Sequence, residues 1–170
     1  MAITTEDGTG LATAETYLSV TDALAYHSER GNTPWATITT AQQEQALRRA
    51  TEYMLQVYRG RWKGIRMLST QALDWPRSGV YLESPSGTDD LVADNIVPVE
   101  VERACAELAI LAAAGPLLAP TTQGVVSESI GPISVTYDKA GSQAIKRPAI
   151  DAMLAPYFDR AVGTVKVMRA

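Results

Sequence analysis

The chain has 170 residues, 46% of them hydrophobic and 20% charged, with a net charge of −4. That length suffices for one domain whose core needs no staples, and the composition excludes a disordered or collagen-like chain. The sign of the charge argues against a protein that neutralises phosphates over its whole surface. Cys105 is the single cysteine, so an intrachain disulfide is excluded and the residue reads as a small core side chain, which fits a reducing compartment. No window reaches the roughly 18 to 20 apolar residues that span a bilayer. The N-terminus, MAITTEDGTG, lacks the positive charge and apolar core of a signal peptide, so the expected setting is the cytoplasm or something assembled there.

In chain order, Ser19 and Asp22 make a capping-box-like start, with aspartate in the usual place of glutamate. Val20, Leu24 and His27 follow at helical spacing until Gly31 supplies a stop. Thr40 followed by Gln43 is a second capping box, after which Leu47, Ala50, Met54, Val57 and Tyr58 stripe an amphipathic helix that ends near Gly60. Pro98 suits the first turn of a third helix. There Val101, Ala104, Cys105, Leu108, Leu111 and Ala112 make an apolar stripe opposite Glu100, Arg103 and Glu107, until Gly115-Pro116 breaks it. Its alanines let a neighbouring backbone come close, which places it at the centre of the bundle. Over residues 125–137 the period changes to two, Ile133, Val135 and Tyr137 alternating with Ser134 and Thr136, which predicts a β-hairpin. A short helix from Pro148 to about Tyr157 follows. The last stretch carries β-branched Val162, Val165 and Val167 among Lys166, Met168 and Arg169, and reads as an extended arm. The fold class is therefore mainly α: a bundle of four helices with one hairpin, occupying 1–158, and a C-terminal arm over 159–170.

Between these elements lies a segment, residues 60–96, far longer than the roughly 15 residues a compact domain leaves irregular without purpose. It contains QALDWPRSGVYL (71–82), where Trp75, Pro76 and Arg77 adjoin. A large aromatic followed by proline is a stiff anchor of low entropy, and Arg77 can lie over the ring or pair with a carboxylate. The favoured reading is that Trp75 plugs the loop onto the bundle; the other is contact with a second subunit.

Motifs for chemistry are scarce. With one histidine and one cysteine, the usual zinc sites cannot be assembled from this chain. His27 falls on the apolar side of the first helix and reads as a core or rim histidine rather than a base. Neither a nucleophile elbow nor a P-loop occurs, and the lone Gly-x-Gly in DGTG (7–10) follows no strand, so it is no phosphate cradle. Asp89, Asp90 and Asp94 lack the spacing of an EF-hand and read as a solvated acidic loop. Neither an enzyme nor a cofactor is expected.

Charge is unevenly placed. Residues 41–66 carry six basic against two acidic side chains, 81–110 one against seven, and 139–170 six against two. Such blocks either solvate separate faces or complement one another between subunits packed head to tail. The first basic block places Arg59, Arg61 and Lys63 around Trp62, after Tyr58, so it is also a candidate platform for single-stranded DNA, with bases on the aromatics and phosphates on the cations.

Read together, TYLSVTDALAYHSERG (16–31), ALRRATEYM (46–54), QALDWPRSGV (71–80), IVPVEVERACAELA (96–109) and ESIGPISVTYDKA (128–140) resemble a family of tailed-phage and prophage proteins. These are head-tail connector, or adaptor, proteins, often labelled DnaT-like single-stranded-DNA-binding proteins. The resemblance covers most of residues 14–158 and is most specific at Leu73, Trp75, Pro76 and Arg77 and in the hairpin at 131–137; residues 84–95 and both termini depart from it. It implies a virion structural protein of the neck, with about a dozen copies in a ring. The ring lies beneath the portal protein and above a stopper or tail-completion protein, with DNA only as channel contents and no membrane. The arm, with its valines and two cations, would dock on the portal by adding to a sheet edge or groove. The rival from another class is a single-strand DNA-binding protein of replication.

Overall fold

Ser19 opens the first helix: its hydroxyl accepts the Asp22 backbone N–H at 3.1 Å. In the computed structural model, which describes residues 3–83, 89–118, 127–130, 133–136 and 147–159, this helix is α1, Val20–Glu29. The chain then makes a single helical turn, α2, Thr33–Thr37, with Pro34 in its first turn. Five residues are too few to announce themselves by periodicity; Trp35, only 1% exposed, fixes the turn by packing its ring 4.9 Å from that of His27.

The long helix α3, Thr40–Tyr58, starts from a cap one residue earlier than expected. Thr39 and Gln42 make the reciprocal box, and Gln43 instead turns inward, donating from Nε2 to the Trp35 carbonyl at 2.9 Å. The sequence allows two registers, Thr39 with Gln42 or Thr40 with Gln43, and the buried Gln43 selects the first.

Helix α4, Val99–Ala114, lies at the centre, in contact with α1, α3 and the later α5, Pro148–Leu154. Its buried face runs through Val101, Ala104, Cys105, Leu108, Ala109 and Ala112, with Thr51 of α3 3.5 Å from the Cys105 sulfur. Leu111, expected in this stripe, is 41% exposed; at about 100° per residue it falls at the edge of the arc that faces the core. The final helix is shorter than expected, because a 3₁₀ turn, Ala155–Tyr157, replaces its end where Pro156 lacks a backbone donor.

The expected hairpin is present as β5, Ser127–Ile130, antiparallel to β6, Ile133–Thr136, with Ile130 paired to Ile133. Two further antiparallel ladders lie inside the 60–96 segment, each too short for a pattern to reveal. They are β1, Ile65–Arg66, with β2, Arg77–Ser78, and β3, Tyr81–Leu82, with β4, Asp90–Leu91. The element order is thus α1, α2, α3, β1 to β4, α4, β5, β6 and α5. Of the arm, residues 160–170 lie outside the described residues, as do Val162, Val165, Lys166, Val167, Met168 and Arg169 with them. Among the described residues no helix is long and apolar enough to cross a membrane.

His27 is fully buried and joins three elements. Its Nε2 donates to the Ala106 carbonyl of α4 at 3.2 Å, and its Nδ1 accepts from the Asn32 amide at 3.1 Å. This arrangement needs the neutral ring. Burial holds the pKa below the ordinary 6.5, against the pull of Glu107 and the Ala106 carbonyl and with the push of Arg30. The unfolded chain therefore takes up the proton first, so stability from this site is complete above pH 6.5 and is lost as the pH falls below it. Urea midpoints measured across pH 5 to 8 are expected to drop on the acid side, and His27→Gln should flatten that slope; equal slopes would show that the ring is not the titrating group.

Candidate functional site

The loop that follows α3 is folded back on the segment after α5, residues 157–159. The Arg61 N–H donates to the Tyr58 carbonyl at 2.8 Å, and residues 61–63 then run antiparallel to 157–159. The Lys63 N–H donates to the Tyr157 carbonyl (2.9 Å) and the Asp159 N–H to the Arg61 carbonyl (2.7 Å), on either side of a bridge between Trp62 and Phe158. The Trp62 ring consequently lies 4.9 Å from Phe158 and 6.1 Å from Tyr58. Trp75, fully buried, stands edge-on to Trp62 at 5.7 Å and to Tyr157 at 5.6 Å. The Trp75–Pro76 peptide is cis.

Arg77 ties this loop from inside. Its guanidinium donates to the carbonyls of Lys63 (2.7 Å), Gly64 (2.7 Å) and Asp74 (3.2 Å). Among the described residues it neither stacks on Trp75 nor forms an ion pair. Gly64 is required where the strands cross: its φ is +65°, and a Cβ would lie 2.2 Å from the Ser78 carbonyl oxygen. Gln71 braces the same turn, donating to the carbonyls of Leu73 and Pro76 at 2.9 and 3.0 Å. The Asp74 N–H donates to the Tyr17 hydroxyl at 3.0 Å, and burial pushes that phenol far above its ordinary range, so it stays neutral.

The basic run is engaged by the same loop. The side chain of Asp74, 1% exposed, accepts from Arg59 Nε at 3.0 Å. Arg61 pairs with Asp151 at 3.3 Å and lies 4.0 Å above the Phe158 ring. Lys63 Nζ donates to the Tyr81 carbonyl at 2.9 Å. Trp62 is 3% exposed and Tyr58 fully buried, so the two aromatics of the candidate platform offer no face to a base in this conformation.

The other candidates resolve similarly. The DGTG turn does form a concavity of N–H groups, but the chain's own Glu6 fills it: the carboxylate accepts from Gly8 (3.0 Å), Gly10 (2.8 Å) and Leu11 (2.9 Å). Gly8 is obligatory there, with φ +94° and the Asn95 carbonyl 2.2 Å from where a Cβ would stand. Burial pushes the Cys105 thiol up to about 11, which removes it from thiolate chemistry at neutral pH. Asp89, Asp90 and Asp94 are exposed, and among the described residues no group of three or more His, Cys, Asp or Glu side chains is placed to hold a metal ion.

Residues 1–170 match the model of the family described as "Putative DnaT-like ssDNA binding protein". The chain belongs to this DnaT-like family. No curated protein and no solved structure matches it. In this DnaT-like chain the most exposed aromatic among the described residues is Tyr81, 52% exposed, and sequence reasoning passed over it. The signal was the run Val80-Tyr81-Leu82 beside a loop: in an extended segment neighbouring side chains take opposite faces, so burying Val80 turns Tyr81 outward.

Because Trp75 meets Trp62 and Tyr157 with no exposed surface, Trp75→Ala should lower the unfolding free energy by about 3–5 kcal/mol. Chemical denaturation measures this directly; a change near zero would mean that the loop is held without the indole.

Proposed function

We propose that the protein is a virion structural subunit: a head-tail connector, or adaptor, of a tailed phage, assembled in the host cytoplasm into a ring of about a dozen copies. The ring joins the portal protein to a stopper or tail-completion protein and lines the DNA exit channel, with no catalysis, cofactor or membrane. The sequence resemblance centred on Leu73, Trp75, Pro76 and Arg77 suggests this role. The observation that carries it is the fate of the basic run. Its aromatics are buried, and its arginines close a loop onto α3 and α5, while apolar side chains at Ile65, Tyr81 and Leu91 stand 72, 52 and 61% exposed. Exposed apolar groups with buried aromatic stacking surfaces suit protein contacts better than a nucleic-acid track.

The second reading, a single-strand DNA-binding protein of replication, is favoured by the family's description and by Tyr81 with Lys63 at its carbonyl. It requires an affinity that falls steeply with salt and is lost in Lys63→Gln and Tyr81→Ala.

The connector reading assigns portal docking to residues 160–170. A chain ending at residue 159 should keep the melting temperature of the full chain and fail to co-purify with portal protein. Equal portal capture by both would sink that assignment.

A further inference from the structure

Two apolar patches stand at opposite ends of α4, and the charges around them are opposite. At the first, Tyr81 and Leu91 are paired directly across the β3–β4 ladder, so their exposed side chains share one face. Strand β3 packs on the turn Ala155–Tyr157, and the Tyr157 hydroxyl donates to Glu100 in the first turn of α4 at 2.6 Å, which fixes this patch near the N-terminal end of that helix. Asp89, two positions before Leu91, falls on the same side of the extended chain, and Asp90 and Asp94 follow close by in sequence; all three are exposed and, among the described residues, in no ion pair, while Lys63 is engaged at the Tyr81 carbonyl. At the second patch, Leu111 and Leu118, 41 and 52% exposed, flank the C-terminus of α4. Arg49 donates to the Ala112 carbonyl at 3.0 Å and Arg147 to the Leu117 carbonyl at 3.1 Å, and neither has a carboxylate partner among the described residues. Sixteen helical residues separate the two ends by about 24 Å.

We propose that these patches bind each other between copies: the Tyr81–Leu91 face of one chain seats on the Leu111–Leu118 face of the next. Pairing either patch with itself would set aspartate against aspartate or arginine against arginine. The head-to-tail contact alone joins apolar centre to apolar centre and acidic rim to basic rim. Two different patches on one chain make a heterologous interface, which closes into a ring when the rotation per step allows. The inference rests on the proposed ring and names the faces that build it.

Leu91→Ser and Leu118→Ser alter exposed side chains, so both chains should fold, as circular dichroism can check. Sedimentation velocity up to the highest soluble concentration would compare wild type, each variant and their equimolar mixture. Wild type should associate, and each variant alone should weaken association by about tenfold or more. The mixture should recover dimers and stop there: the Leu91→Ser chain keeps its basic face, the Leu118→Ser chain keeps its acidic face, and each pair has one sound contact. Unchanged association in either variant, a mixture without rescue, or a wild type that stays monomeric would each overturn the proposed faces. Portal-bound copy number then separates this failure from that of the connector reading. Several copies of both variants on the portal would keep the ring and reject these faces, whereas no portal binding by wild type would reject the ring as well.

Discussion

The burial of Trp75 is the contact on which the rest of the structure depends. More than thirty residues separate α3 from α4, and among the described ones regular structure amounts to ladders of two residues each. Fixing that much backbone costs on the order of 1–2 kcal/mol per residue, which ladders so short cannot offset. The buried side chains of the segment, Trp62, Leu73, Trp75 and Val80, oppose that cost together, and Trp75 joins the loop to the aromatic cluster of Trp62, Tyr157 and Phe158, so one buried patch secures the loop, the end of α3 and the turn at 155–157. A loop drawn inward also turns carbonyls away from water. Arg77 answers three of them at once, with donors spread over the three nitrogens of its planar fork.

The electrostatics follow from the same constraint. Asp74 enters the core beside Trp75, and a buried carboxylate left without a partner would be strongly destabilising. Arg59 meets that need from the end of α3, and Arg61, stacked over Phe158, reaches Asp151 on α5. A cluster of cations in the sequence thus becomes, in space, a set of fasteners for one loop. What remains for partners is apolar: side chains that the loop carries outward, with exposed aspartates toward one end of α4 and, at the other, arginines that have no carboxylate partner among the described residues.

Much of the helical frame was legible. Ser19 with Asp22 marks a helix start by a local hydrogen bond, and the stripe from Leu47 to Tyr58 follows from one buried face, so short-range sequence determines both. The misses have longer-range causes. Whether Thr39 or Thr40 caps α3 depends on Gln43 reaching Trp35, and whether Leu111 is buried depends on how far the neighbouring helices wrap α4. Trp62 had a basic neighbourhood and no visible partner, because its partner, Phe158, lies 96 positions away. Arg77 was expected to meet a ring or a carboxylate; backbone carbonyls have no sequence signature. The exposed trio of Ile65, Tyr81 and Leu91 was hidden for a related reason, since strands of two residues are too short to display alternation.

We propose that this chain meets copies of itself and other proteins rather than single-stranded DNA. Native mass spectrometry over a range of concentrations, with a single-stranded oligonucleotide present throughout, puts both partners in one tube. Protein-only species, growing with concentration toward a closed ring, are the result expected. A discrete protein–oligonucleotide complex that survives physiological salt would contradict it, and would make Tyr81 and Lys63 the first contacts to examine.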